Sequence, residues 1–244
     1  IQEQAIPLIL ANKDLIACAQ TGTGKTASYL LPLLQHISTT DKKHTKALIL
    51  APTRELAQQI DQQVEGLAYF AGISSIAVYG GGDGMIYEQQ RRAMVDGVDI
   101  IIATPGRLIA HLSSGVIKLE HLEYLVLDEA DRMLDMGFYD DLLRIIGFLP
   151  KKRQTMLFSA TMPEKIRKLA NTILSNPEQI NIALSQPAVG ILQQVYMVHD
   201  HQKIKLITGL LKGDTHPSVL IFASRKETVK ELNKTLRKEG VKAD

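Results

Sequence analysis

The chain has 244 residues, 45% of them hydrophobic and 22% charged, which is typical of one or two globular domains and too apolar for a disordered protein. A single cysteine excludes a disulfide framework and a cysteine-based zinc site, and it favours a reducing, cytoplasmic setting. The net charge of +2 excludes a polycation that holds nucleic acid by charge alone. Because no apolar run reaches the roughly 18 residues of a membrane helix, we expect no membrane partner.

Short apolar runs rich in β-branched residues alternate with amphipathic stretches along most of the chain. The runs predict strands at residues 14–19, 47–51, 76–79, 99–103, 124–127 and 155–159. They are almost continuously apolar, as expected for strands covered on both faces. Helical periodicity between them predicts helices that include 54–70, 85–95 and 163–174. This alternation predicts an α/β fold with a parallel, doubly wound sheet.

The composition changes near residues 184–191, where Pro187 and Gly190 stand among small polar residues and predict a linker. We predict a first domain at 1–183, with its N-terminal edge missing, and the beginning of a truncated second domain at 192–244. The second part reads as strand, helix, strand and helix before a final VKAD. Residues 1–190 carry 18 basic and 20 acidic side chains, whereas residues 191–244 carry 10 basic and 6 acidic ones.

A glycine-rich segment, AQTGTGKT, follows the first predicted strand and precedes a helix. Such a segment can curl its backbone N–H groups around phosphate oxygens at the positive end of the helix. In this interpretation Lys25 reaches the β- and γ-phosphates and the Thr26 hydroxyl binds Mg²⁺. The strict phosphate-loop pattern has Gly where this chain has Ala19, and the alternative is a glycine-rich turn with a solvated lysine. The predicted nucleotide-binding residues here are Thr21, Gly22, Thr23, Gly24, Lys25 and Thr26.

A second segment, YLVLDEAD, places Asp128 and Glu129 directly after a buried strand, at the edge where open α/β sheets bind ligands. We expect Asp128 to hold Mg²⁺ through water and Glu129 to orient and deprotonate the attacking water. Taken alone, the four letters DEAD fit an acidic helix start equally well. Together with the phosphate loop they predict ATP hydrolysis, with Lys25, Asp128 and Glu129 as the catalytic residues and ATP and Mg²⁺ as cofactors.

These segments, and LDMGF after the second one, resemble the DEAD-box family of ATP-dependent RNA helicases in superfamily 2, with the bacterial RhlE-like subgroup the most similar. The resemblance implies a RecA-like domain of the P-loop NTPase type, and it covers essentially the whole chain. The family tolerates alanine at the position of Ala19. It also implies that Gln2, in IQEQAIP, reads the adenine edge, for which the side-chain amide has the required donor and acceptor. Without the resemblance, Gln2 is an ordinary surface residue near a terminus.

Three further segments resemble the family's RNA-backbone motifs, and each follows a predicted strand. Hydroxyls, arginines and helix N-terminal amides are common sequence-independent ligands of phosphate, so these segments predict a groove that tracks one RNA strand. The alternative for any one of them is ordinary turn and capping chemistry. The predicted RNA-binding residues are Pro52, Thr53, Arg54, Gly80, Gly81, Thr104, Pro105, Gly106 and Arg107.

A last segment, Ser159-Ala160-Thr161, resembles the motif that couples the ATP state to RNA binding, and we expect its hydroxyls to hydrogen-bond to Asp131. The resemblance implies an RNA helicase whose partner is RNA; protein partners are not identified by the sequence. Because the family's later arginines would lie beyond residue 244, we expect this chain alone to bind nucleotide but to show little RNA-stimulated activity. Two alternatives stay open: a DNA-directed or protein-translocating ATPase, and an ATP-gated RNA clamp that does not unwind.

Overall fold

The computed structural model describes residues 1–20, 22–39, 44–81, 84–115, 117, 119–182, 192, 194–211 and 217–243. The chain divides into two compact units, Ile1–Gln186 and Pro187–Asp244, and this division falls inside the predicted linker. The linker itself, residues 184–191, lies outside the described residues.

The first unit alternates strands and helices as predicted. Its strands are β1 (Leu15–Cys18), β2 (Ala47–Leu50), β3 (Ser75–Val78), β4 (Ile100–Ala103), β5 (Tyr124–Leu127), β6 (Gln154–Ser159) and β7 (Glu178–Asn181). Its helices are α1 (Gln2–Leu10), α2 (Lys25–Ser38), α3 (Arg54–Ala68), α4 (Gly84–Asp96), α5 (Pro105–Ser113), α6 (Ala130–Asp135), α7 (Tyr139–Gly147) and α8 (Glu164–Ile173). The six predicted strands are confirmed to within one residue at each end. The sequence gives no apolar run for β7, because Ile180 is its one buried residue.

The strands form one parallel sheet in the order β3-β4-β2-β5-β6-β1-β7. Alternate side chains of each strand enter two separate apolar cores, one on each face of the sheet. In β4, for example, Ile101 and Ala103 belong to the core under α4–α8, whereas Ile100 and Ile102 belong to the core under α1–α3. The predicted α/β class with a doubly wound parallel sheet is confirmed.

The register of the sheet brings the carboxyl ends of its strands to one edge. Val78, Ala103, Leu50 and Leu127 are the final residues of four neighbouring strands, and they lie in line across the sheet. Every segment that the sequence singled out after a strand therefore emerges at this edge, where α/β sheets bind their ligands.

In the second unit the described residues form a 3₁₀ turn at Asp200–Gln202 and two helices, α9 (Lys203–Leu211) and α10 (Lys226–Lys238). The strands predicted for this unit are not found among its described residues; Val219 to Phe222, for example, form no strand. An apolar run becomes a strand only when a neighbouring strand completes its backbone hydrogen bonds, and the described part of this unit offers no such neighbour.

Candidate functional site

The sheet divides the predicted site segments into two groups along its carboxyl edge. The segments assigned to nucleotide, called the nucleotide group, are the phosphate loop after β1 and Asp128 and Glu129 after β5; between these two strands lies β6, which ends in the predicted coupling segment. The three segments assigned to RNA follow β3, β4 and β2, which are adjacent. Along the chain the RNA segments come one after another, between the phosphate loop and Asp128, and the sheet order brings the two distant parts of the nucleotide group to either side of β6.

The phosphate loop has the backbone shape that its glycines allow. Gly22 and Gly24 have φ angles of 80° and 86°, in the left-handed region that glycine enters without steric cost. Gly24 is the N-cap residue of α2, so the positive end of that helix points into the loop. Lys25 is buried, and its Nζ donates to the carbonyl oxygen of Ala19 at 2.8 Å. The loop therefore encloses a cation beside the amide-rich turn; Thr21 lies outside the described residues.

The predicted adenine-reading residue lies against the same loop. Gln2, the first residue of α1, donates from Nε2 to the carbonyl oxygen of Gly24 at 3.3 Å. The two residues are so close that a Cβ placed on Gly24 would collide with the Gln2 amide. This contact brings the N-terminal helix to the nucleotide group, as the resemblance implies.

Asp128 is 3% exposed and directly follows β5. Its Oδ2 accepts a hydrogen bond from the Tyr29 hydroxyl at 2.8 Å, and its Oδ1 accepts one from the backbone N–H of Glu129 at 2.9 Å. Burial raises the pKa of the Asp128 carboxyl, and the hydrogen bond from Tyr29 and the charge of Lys25 oppose this shift.

Glu129 has a φ angle of 50°, in the left-handed region that a residue with a Cβ seldom enters. This turn ends β5 abruptly and makes Glu129 the N-cap residue of α6. The Glu129 Oε2 accepts a hydrogen bond from Arg132 Nη1 at 3.2 Å, and the Glu129 side chain is 19% exposed. A strained backbone that positions a carboxylate at a strand end is common where a protein performs chemistry.

The oxygen atoms at this end of the sheet fit Mg²⁺ in type. Thr26 is half-buried in the first turn of α2, and Asp128 supplies a carboxylate. Across the described part of the chain, no group of three or more His, Cys, Asp or Glu side chains could hold a metal ion by itself. A site with a hydroxyl and one carboxylate suits Mg²⁺, which takes few protein ligands and completes its shell with phosphate and water.

Asp131, in the first turn of α6, fixes the segment after β6. Its Oδ2 accepts hydrogen bonds from Ala160 N at 3.2 Å, from Thr161 N at 2.9 Å and from Thr161 Oγ1 at 2.9 Å. The predicted hydrogen bond to Asp131 is therefore confirmed for Thr161. It is wrong for Ser159, whose Oγ donates to the carbonyl oxygen of Thr161 at 2.6 Å, because the tight turn brings that carbonyl closer.

Two guanidinium groups lie beside the glycine doublet in the second group of segments. The Arg54 guanidinium lies 5.9 Å from the centre of the Tyr79 ring, and a Cβ on Gly81 would be 3.9 Å from Arg54 Nη1. A Cβ on Gly80 would be 3.9 Å from Arg107 Nε. The absence of side chains at the doublet thus leaves space between two cations, which is suitable for a phosphate backbone.

The Arg107 guanidinium also lies over the Tyr87 ring of α4, 5.2 Å from its centre. The other stacking partner of Tyr87 is His111, at 4.2 Å and an angle of 10° between the rings. His111 is fully buried, and neither ring nitrogen has a hydrogen-bond partner among the described residues. Burial, together with the charges of Arg107 and Arg91, lowers the pKa of His111 to about 4, so the ring is neutral at pH 7.

The remaining predicted RNA-binding residues shape the turns of this group. The Thr53 hydroxyl accepts a hydrogen bond from Leu56 N at 3.3 Å and caps α3, so the capping role that the sequence left open is observed. Thr104 is the N-cap residue of α5, Pro105 is its buried first residue, and Gly106 is exposed. Pro52 is buried before α3. Both helices therefore point their N-terminal amides at the same edge.

A family model described as DEAD/DEAH box helicase matches residues 1–169, which include both groups of segments. The chain belongs to the DEAD/DEAH box helicase family. It is 41% identical to the ATP-dependent RNA helicase CshA of Listeria monocytogenes, over 100% of this chain and 46% of that protein. It is 40% identical to the DEAD-box ATP-dependent RNA helicase RhpA of Helicobacter pylori, over 100% of this chain and 49% of that protein.

A solved structure has the same fold. It is a hypothetical ATP-dependent RNA helicase from Sulfolobus tokodaii, with a TM-score of 0.67 and 39% identity over 74% of this chain and 51% of that one. The predicted RecA-like fold and the DEAD-box resemblance are confirmed; the RhlE-like refinement stays a prediction. This DEAD-box chain spans about half the length of the relatives it matches. No helix among the described residues is long and apolar enough to cross a membrane.

Sequence reasoning missed the aromatic residues of this DEAD-box site. Tyr29 follows Thr26 by three positions, so helical spacing places both on one face of α2 and could have brought Tyr29 to notice. Arg107 and His111 lie four residues apart on α5, but Tyr87 lies on α4, and only the packing of α4 against α5 brings Tyr87 to them. No motif or helical spacing in the sequence links Tyr87 to Arg107 and His111.

Proposed function

We propose that the protein containing this chain is an ATP-dependent RNA helicase. It binds Mg–ATP and the backbone of single-stranded RNA, and it uses ATP hydrolysis to unwind short duplexes or remodel RNA–protein complexes. The observation that supports this proposal most strongly is the division of the carboxyl edge into the nucleotide group after β5 and β1, with the coupling segment after β6 between them, and an RNA-backbone group after β3, β4 and β2. A single sheet can thereby hold both ligands at once.

In the nucleotide group, the loop amides and Lys25 would bind the phosphates, and Gln2 would hydrogen-bond to the base. Thr26 and Asp128 would hold Mg²⁺, which neutralises charge that develops on the transferring phosphate. Glu129, at the strained end of β5, would orient the attacking water and accept its proton. The hydrogen bond from Arg132 keeps the Glu129 carboxylate in one orientation until then.

In the RNA-backbone group, Arg54, Arg107 and the N-terminal amides of α3 and α5 would bind successive phosphates of one RNA strand. These ligands carry no base specificity, so the proposal is for sequence-independent binding. The hydrogen bonds from Ala160 and Thr161 to Asp131 join the segment after β6 to the helix that follows Glu129. We infer that this connection couples the nucleotide state to RNA binding.

The 244-residue chain alone would bind nucleotide and show little RNA-stimulated turnover, because it spans about half of its helicase relatives. The part of those relatives that this chain does not match makes up about half of their length. We place the whole protein in the cytoplasm, in keeping with its single cysteine.

The test compares ATP hydrolysis by the full-length protein without nucleic acid, with single-stranded RNA and with single-stranded DNA. We expect stimulation by RNA above that by DNA, and loss of hydrolysis in Glu129→Gln. The control is Glu178→Gln, which changes an exposed carboxylate on β7 in the same way. Equal stimulation by DNA would favour the DNA-directed ATPase, and unchanged hydrolysis in Glu129→Gln would contradict the assignment of the base.

A strand-displacement assay separates unwinding from clamping. We expect the full-length protein to release one strand of a short RNA duplex when ATP is present. Retention of single-stranded RNA with ATP, without any strand release, would support the RNA clamp and contradict the helicase proposal.

A further inference from the structure

The Tyr29 side chain connects α2, which begins at the phosphate loop, to the carboxylate at the end of β5. Tyr29 is fully buried, and its hydroxyl donates to Asp128 Oδ2 at 2.8 Å. None of the functional roles described above uses this hydroxyl. This hydrogen bond restricts the orientation of the Asp128 carboxylate, which is predicted to hold Mg²⁺.

Two donors occupy one position on each oxygen of Asp128. The Tyr29 hydroxyl takes Oδ2, and the backbone N–H of Glu129 takes Oδ1 at 2.9 Å. Because an ionised carboxylate offers about four lone-pair positions, two more stay available for water or a metal ion. The two hydrogen bonds therefore fix the plane of the carboxylate and leave its other lone pairs for a ligand.

The phenol ring cannot turn away from this position without disturbing the core. It packs against the Phe158 ring of β6, with 5.1 Å between ring centres and an angle of 52° between the rings. Thr26 lies three residues before Tyr29 in α2, on the same face of the helix. Tyr29 thus contacts one residue that would hold Mg²⁺, Asp128, and shares a helix face with the other, Thr26.

We propose that Tyr29 is a positioning residue for Mg²⁺, because its hydroxyl orients the Asp128 carboxylate. This inference rests on the proposed nucleotide-binding function. Tyr29 does not itself contact the metal or the nucleotide in this account. Its contribution is to reduce the reorganisation that Asp128 needs when the cation binds.

The test uses the 244-residue chain and a fluorescent ADP carrying the N-methylanthraniloyl group, titrated in MgCl₂ and again in EDTA. The dissociation constant in EDTA divided by the dissociation constant in MgCl₂ measures how much Mg²⁺ strengthens binding. We expect Tyr29→Phe to lower this ratio about five-fold, the value of one ordinary hydrogen bond, and to leave the dissociation constant in EDTA unchanged. Phe keeps the ring and its contact with Phe158.

The matched control is Tyr124→Phe, at the opposite end of β5. Tyr124 is also buried, and its hydroxyl has no hydrogen-bond partner among the described residues. We expect this variant to keep the wild-type ratio. Tyr29→4-aminophenylalanine restores a donor at the same place and is expected to restore the ratio, which keeps the test decisive if Tyr29→Phe folds poorly.

An unchanged ratio in Tyr29→Phe would overturn the proposal. This includes an equal loss of affinity in MgCl₂ and in EDTA, which would indicate general damage to the fold. Failure of the wild-type chain to bind the fluorescent ADP in either condition would instead contradict the proposed nucleotide binding, and the inference would fall with it.

Discussion

Replacing Asp131 by Ala removes the acceptor that fixes the segment after β6. The Asp131 Oδ2 accepts hydrogen bonds from two backbone amides, of Ala160 and Thr161, and from one hydroxyl. Hydrogen bonds to a charged group contribute about 1.5–3 kcal/mol each, but these share one oxygen of a half-buried carboxylate and water can replace part of them. We therefore expect Asp131→Ala to lower the free energy of unfolding by about 2–3 kcal/mol.

The assay has a global and a local readout. Urea unfolding followed by circular dichroism gives the free energy of unfolding, and hydrogen exchange gives the protection of the Ala160 and Thr161 amides. Asp135→Ala is the matched control, since Asp135 lies in the same helix, is exposed, and accepts no hydrogen bond from the described residues. We expect wild-type stability and wild-type protection in that variant.

The reasoning would be refuted if the amides of Ala160 and Thr161 exchanged as slowly in Asp131→Ala as in the wild type. In that case another group would fix the segment, and the assigned role of Asp131 in coupling would lose its structural basis. Asp131→Asn gives a graded check, because the amide oxygen still accepts but carries no charge, so we expect an intermediate loss of stability.

Two further predictions follow from the loop and from the buried histidine. Gly24→Ala places a Cβ against the Gln2 amide at a φ angle of 86°. Gly22 has a similar φ angle of 80° but open space around it, so we expect Gly24→Ala to bind fluorescent ADP more weakly than Gly22→Ala. Equal effects of the two substitutions would contradict the assigned contact with Gln2. The pKa of His111 is lowered from 6.5 to about 4, so the unfolded chain binds a proton between these values that the native chain does not, and stability falls as the pH falls through this range. Between pH 7 and pH 4.5, we expect the free energy of unfolding, measured with urea, to fall by about 1–3 kcal/mol less in His111→Phe than in the wild type. An equal fall in the two proteins would contradict this account.

The sequence predicts the sheet well because its strands are buried on both faces. Runs such as 47–51 and 100–103 are continuously apolar, because both faces of their strands are buried. β7 escapes prediction because an edge strand with one buried residue, Ile180, has no such run. Strand order also escapes prediction, since alternation of strands and helices is compatible with many orders in a doubly wound sheet.

The candidate site was predictable where one short segment carries the chemistry. Gly22, Gly24 and Lys25 identify the phosphate loop because backbone shape and charge are local properties of that segment. The hydrogen bond between Tyr29 and Asp128 and the contacts of Tyr87 with Arg107 and His111 were not predictable, because tertiary packing brings these elements together. The hydroxyl of Ser159 was misassigned for a similar reason, since the turn geometry selects its acceptor.

The two groups of segments at the carboxyl edge are the central claim, and paired hydrogen-exchange footprints of the full-length protein test it most directly. We predict that Mg–ADP slows exchange at residues 22–26 and 128–131. Single-stranded RNA, added with a non-hydrolysable ATP analogue, should in addition slow exchange at 52–54, 79–81 and 104–107. RNA protection confined to other segments, or RNA and nucleotide protecting the same segments, would contradict the account.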